Sequence, residues 1–148
     1  GEGGRYELVL LPPNALVPGE SCGATPTSPP NFFTATVGTE PVRLKVSTLG
    51  AAADQGSCGL VSSPAVHVRV RATKPGTLTA TVRPLLNSFV PALGHSMTAC
   101  FNAETTCNLV MPMSDPTLTV PVLPGDSWLT IRAANNSAGT GVLTLQVR

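Results

Sequence analysis

Charge is what this chain has least of. Lys and Arg number 9 and Asp and Glu 8 in 148 residues, 11% in all, against roughly 25% in an average soluble protein. The net charge of +1 leaves no dense basic field to displace counterions, which argues against nucleic acid as a partner. Long apolar runs are also missing. None approaches the ~20 residues of a membrane-spanning helix, so no such span is expected within these residues. No window of 12 residues keeps a helical period. No C-x-x-C of zinc-binding type, no G-x-S-x-G and no D-x-D or D-x-N cluster occurs, which removes the usual sequence signs of a zinc site, a hydrolase elbow and a calcium loop.

What is present is turn chemistry and alternation. Gly 14 and Pro 15 are high, Thr and Ser are abundant, and 148 residues suffice for one domain with a real core. Period-two strands are predicted over residues 6–10, 32–37, 42–47, 65–72, 78–83, 93–101, 108–111, 117–122, 128–133 and 142–147. Val66, Val68 and Val70 share one face of their strand, with His67, Arg69 and Arg71 on the other. Leu78, Ala80 and Val82 point inward in the same way. In Lys74-Pro75-Gly76 and Leu123-Pro124-Gly125-Asp126, Pro presets φ and Gly supplies a positive one. Many short strands at close spacing predict an all-β fold, an antiparallel, jelly-roll-like β-sandwich. One domain is expected over 1–148, with 1–18 as an N-terminal extension or extra strand.

The four cysteines, Cys22, Cys58, Cys100 and Cys107, suggest disulfides and an oxidising compartment. Four cysteines allow three connectivities. The closeness of Cys100 and Cys107 favours bridging them across a hairpin tip, leaving Cys22–Cys58. The start at Gly1 fits a processed mature protein or an excised domain.

No catalytic residue is expected. His67 lies mid-strand and His95 in an expected loop after Gly94, neither within a motif that would place it between a nucleophile and an acid. Binding residues are easier to name. Trp128, the sole Trp, shares a strand face with Thr130 and Arg132, opposite Leu129 and Ile131, and would stack on a sugar or anchor a partner if that face is outward. His67, Arg69, Arg71 and Arg83 would form a basic stripe if their two strands are neighbours. Tyr6, Leu8 and Leu10 lie on an apolar N-terminal strand suited to strand exchange with another subunit.

Several segments resemble, in order, the bacterial pre-peptidase C-terminal (PPC) domain family in its cysteine-bearing, myxobacterial-like form. They are Gly19-Glu20-Ser21-Cys22-Gly23-Ala24; Gly56-Ser57-Cys58-Gly59 leading into Pro64-Ala65-Val66-His67-Val68-Arg69-Val70; Thr77 to Val82; Cys100 to Cys107-Asn108; and Leu123-Pro124-Gly125-Asp126-Ser127-Trp128 followed by Gly139-Thr140-Gly141-Val142-Leu143-Thr144-Leu145. The resemblance covers residues 19–147. It implies a jelly-roll-like sandwich found at the ends of secreted hydrolases, some of whose relatives bind calcium and polymers such as collagen or polysaccharide. The chain departs from the family pattern at Val90, where an Asp is common, and at Leu109 and Val110, where acids follow the C-N pair. With acids scattered singly, neither calcium nor another cofactor is expected. Two functions remain. The leading one is a non-catalytic, secreted or cell-surface assembly or adhesion subunit that associates with itself. The alternative is an accessory module of a larger secreted hydrolase that binds an extracellular polymer.

Overall fold

The computed structural model of the chain describes residues 34–51, 53–54, 63–86, 88–97, 106–108, 115–134 and 137–148. The first expected strand, 6–10, lies outside them, as do Tyr6, Leu8 and Leu10. Ten strands are described: β1 (Thr34–Val37), β2 (Val42–Ser47), β3 (Ala53–Asp54), β4 (Ser63–Ala72), β5 (Gly76–Pro84), β6 (Pro91–Ser96), β7 (Thr106–Asn108), β8 (Thr117–Val122), β9 (Gly125–Ala133) and β10 (Thr140–Val147). They form two sheets. The larger runs β1-β4-β9-β6-β7, with β3 on β4, and the smaller runs β2-β10-β5-β8.

Alternation decides which side of each strand is buried. Val66, Val68 and Val70 of β4 and Leu129 and Ile131 of β9 face Leu78, Ala80, Val82, Leu143, Leu145, Leu118 and Val120 of the smaller sheet in one core. Most polar partners on the same strands turn away, so the outer face of each sheet is the more polar one. The β-branched and leucine side chains at every second position supply the driving force, roughly 1.5–3 kcal/mol for each one fully buried.

Three expectations need correction. First, the sheets are not wholly antiparallel: β1 runs parallel to β4, with Thr34 beside Arg69 and Val37 beside Ala72. Between these strands the chain passes through β2 in the other sheet, and that crossover lets it return in the same direction. Second, β4 and β5 are joined by a short turn but lie in different sheets, so Arg83 does not join Arg69 and Arg71. Third, Gly76 is not a positive-φ turn residue; Gly50 and Gly125 are, at 72° and 129°. Gly76 is required because an added Cβ would strike the Arg148 carbonyl oxygen. There β5 and the chain end pair closely, Thr77 N donating to Arg148 O at 2.7 Å and Arg148 N to Thr77 O at 3.0 Å.

Candidate functional site

The outer face of the larger sheet gathers most of the predicted binding residues. The β4–β9 register sets Ala65 opposite Arg132, His67 opposite Thr130, Arg69 opposite Trp128 and Arg71 opposite Asp126. Residues directly opposite in an antiparallel pair point to the same side, so these pairs form four successive rows across the sheet.

The first two rows are sealed. His67 is 0% exposed, Thr130 4% and Arg132 3%. His67 Nδ1 and Thr130 Oγ1 are 2.9 Å apart, a buried polar contact that fixes the imidazole. Alternation places all three on the predicted face, but that face is covered here, so none of them can meet a ligand directly. His95 also departs from expectation. It lies in β6 rather than a loop, opposite Leu129, on the core side and 1% exposed. Burial pushes its imidazole below the ordinary value, because the charged form cannot keep its water there. Two histidines shut away from solvent are unsuited to general acid–base work on a substrate.

The other two rows are open. Trp128 is half-buried, and the Arg69 guanidinium lies over its ring, 4.9 Å from the centroid. That distance is within cation–π range. In the next row, Arg71 Nε donates to Asp126 Oδ1 at 2.8 Å and Arg71 Nη2 to Asp126 Oδ2 at 3.1 Å. This two-point fork holds the Asp126 carboxyl below its usual range, first through the hydrogen bond from Arg71 and then through the charges of Arg71 and Arg69. The same hydrogen bond raises Arg71 further. The parallel strand β1 adds Thr34 beside Arg69 and Thr36 beside Arg71.

The accessible patch is therefore Trp128, Arg69, Arg71 and Asp126, bordered by Thr34 and Thr36. It presents one aromatic ring, a guanidinium over that ring, and a polar rim. Such a surface can stack on a flat ring and hydrogen-bond to its substituents. Sequence reasoning missed Asp126, which looked like a turn residue, and the two threonines, because only the strand register shows what lies beside Arg71 and Arg69.

Arg83 sits on the smaller sheet, opposite Val142. Among the cysteines, Cys107 is described; it lies on β7 opposite Gly94 and is disulfide-bonded. Cys22, Cys58 and Cys100 lie outside the described residues. Among the described residues no three His, Cys, Asp or Glu side chains gather as metal ligands, and no helix is long and apolar enough to cross a membrane.

No family model matches the chain, and no curated protein matches it in sequence. Solved structures similar to it include the pre-peptidase C-terminal domain of a collagenase from Bacillus anthracis, 10% identical, TM-score 0.47, covering 78% of this chain and 94% of that one. Another is PliG of Aeromonas hydrophila, a periplasmic inhibitor of g-type lysozyme, 12% identical, TM-score 0.48, covering 78% and 98%. A third is CBM35 from Cellvibrio japonicus Abf62, 16% identical, TM-score 0.36, covering 64% and 71%.

Proposed function

We propose that this chain is a non-catalytic accessory module of an extracellular protein, and that it holds an extracellular polymer, a polysaccharide or a matrix protein, against the open rows of its larger sheet. The observation that carries this reading is the half-buried Trp128 with Arg69 at 4.9 Å over its ring. An aromatic ring already fixed on one side by a cation loses little freedom when a ligand docks on it. The sealed His67–Thr130 row beside it supports the platform instead of taking part in chemistry. The extracellular setting rests on the four cysteines, for which we propose the bridges Cys22–Cys58 and Cys100–Cys107. Solid-phase binding to insoluble polysaccharides and fibrillar collagen tests the reading. The wild-type chain retains on at least one of them, and Trp128→Ala weakens that retention on the order of tenfold; retention on none, or retention unchanged in the variant, would contradict it.

A second reading, assembly or adhesion through self-association, draws on a different feature. Leu49, Leu85 and Leu86 are 63%, 55% and 71% exposed. Leu85 N donates to Thr140 O at 2.9 Å, and Thr140 pairs with Ser47 near Leu49, so the three leucines lie toward the same end of the smaller sheet. Exposed apolar groups at one end of a sheet suit contact between copies. Light scattering without reductant distinguishes the two readings: an oligomer that Leu85→Ser and Leu86→Ser dissolve supports assembly, and a monomer of the 15.2 kDa chain counts against it.

A further inference from the structure

The peptide bond between Asp115 and Pro116 leads into β8 and is the sole Asp-Pro bond of the chain. Its chemistry differs from that of other peptide bonds. The proline nitrogen carries a second alkyl group and no hydrogen, so the amide is tertiary and its nitrogen takes up a proton more readily. The aspartate before it carries a carboxyl that reaches its own main-chain carbonyl carbon through a five-membered ring. A carboxylate is a competent nucleophile, and attack within one residue needs no encounter.

The fold holds this bond in place. Asp115 is exposed to water and Pro116 is buried. Pro116 O accepts from Val82 N at 3.1 Å, which anchors the leaving side of the bond to β5. Asp115 O, the oxygen of the carbonyl to be attacked, accepts from Thr117 Oγ1 at 3.5 Å. Thr117 Oγ1 lies 3.0 Å from Thr81 Oγ1. A hydroxyl has one hydrogen to give, and Thr117 spends its own on the carbonyl, so Thr81 is the donor in that pair. Two hydroxyls in series therefore end on the Asp115 carbonyl, where charge gathers during attack. Asn108 Nδ2 of β7 donates to Thr117 O and steadies the same turn. The pairing of Thr81 with Thr117, continued by two residues, sets Arg83 opposite Asp115, and Arg83 is the charged side chain that β5 brings to this side.

We propose that the chain cleaves itself once, between Asp115 and Pro116, in mildly acidic surroundings. An Asp115 carboxylate oxygen bonds to the Asp115 carbonyl carbon, while the Thr117 hydroxyl steadies the carbonyl oxygen. The bond from that carbon to the Pro116 nitrogen breaks. Its electron pair stays on the nitrogen, which takes a proton from the medium and becomes the new amino end. One water then opens the cyclic anhydride left on Asp115, restoring the side-chain carboxyl and creating a terminal one. The sum is the addition of one water, with nothing oxidised or reduced.

The two pieces would stay together. β9 lies between β4 and β6, and β10 between β2 and β5, so residues 116–148 supply an inner strand to each sheet. All four cysteines precede Asp115, so no bridge can join the pieces covalently. The product is a nicked sandwich that denaturant alone takes apart. This is one reaction of the chain on itself, separate from the binding reading and independent of it.

The test holds the purified whole chain in mildly acidic and in neutral buffer and reads its mass under denaturing conditions without reductant. The acidic sample yields one piece ending at Asp115 and one beginning at Pro116, with masses that sum to the chain plus one water. Size exclusion in native buffer still gives a single unchanged peak. Cleavage is first order in the chain and, at the same pH, about tenfold faster in the folded chain than in the chain unfolded by urea, because only the fold supplies the Thr117 donor and the anchored proline. Thr117→Val loses most of that advantage, and Thr117→Ser, which keeps the hydroxyl, restores it. Asp115→Ala is not cut. Melting temperatures confirm that each variant folds in the buffer used. An uncut chain, a cut at another bond, cleavage that survives Asp115→Ala, a folded chain no faster than the unfolded one, or a rate untouched by Thr117→Val would each overturn the proposal.

Discussion

The imidazole of His67 and the hydroxyl of Thr130 meet at 2.9 Å on the side of the larger sheet turned away from the core, and the contact is buried. It sits one row from the open Trp128–Arg69 pair, so the sheet beneath the proposed binding surface is held by a polar contact that water does not reach. Thr130→Val keeps the shape and removes the hydroxyl. The expected cost is about 1–3 kcal/mol of stability, the cost of leaving a buried polar atom without that partner. Thr130→Ser restores most of it. Urea denaturation of the two variants measures both.

His95 predicts a pH dependence. Its folded value is lowered by burial, while in the unfolded chain it titrates near pH ~6.5. Above that pH both states are neutral and His95 has no effect. Below it the unfolded state takes up the proton more readily, so this residue makes stability fall as pH drops. The residue across from it is Leu129, and His95→Leu flattens that part of the profile. Melting temperatures of both chains between pH 5 and 8 check the sign; a slope of the wild type that the variant reproduces would be a failure.

Two glycines should differ in how they resist alanine. At Gly141 an added Cβ would lie 2.9 Å from the Arg83 carbonyl oxygen and 3.0 Å from Val82 Cγ1. Backbone and core must both shift, at about 1–3 kcal/mol. At Gly125 there is nothing within 4 Å, but φ is +129°, so the cost there is conformational strain, on the order of 1–3 kcal/mol. Gly141→Ala should therefore lower the melting temperature and also disturb the Arg83 backbone, whereas Gly125→Ala should act on the β8–β9 turn alone. Amide hydrogen exchange locates each effect.

The proposed bridges predict a chain without free thiol. Thiol titration in denaturant without reductant should find none, and replacing Cys100 and Cys107 together by serine should cost about 2–4 kcal/mol, chiefly by freeing the unfolded state. Peptide mapping that joins Cys22 to Cys100 or Cys107 would contradict the pairing.

Strand faces were legible in the sequence because period two depends only on neighbouring residues. Val66, Val68 and Val70 face the core, and Trp128 turns away from it, as alternation requires. Coverage was not legible. Alternation placed His67, Thr130 and Arg132 on the polar face but carried no information on whether that face meets water. Pairing was hidden for a related reason. Arg83 follows Arg71 closely in the chain, yet the turn between them carries it to the other sheet, whereas Asp126, 55 residues from Arg71, is its hydrogen-bond partner. Such partnerships are fixed by register between distant strands, and no local pattern encodes them. Gly94 suggests a loop at His95 from local sequence; the strand continues through both, with Gly94 opposite Thr130 on the outer side.

Trp128 is the one tryptophan in the chain, so its fluorescence reports on the proposed platform without a label. The most direct test is emission during titration with soluble fragments of whichever polysaccharide or collagen retains the chain. A saturable blue shift or quenching, with the same midpoint as calorimetric binding and weakened on the order of tenfold by Arg69→Gln, is the expected result. Binding that leaves Trp128 emission unchanged would contradict the account and move the ligand to another face.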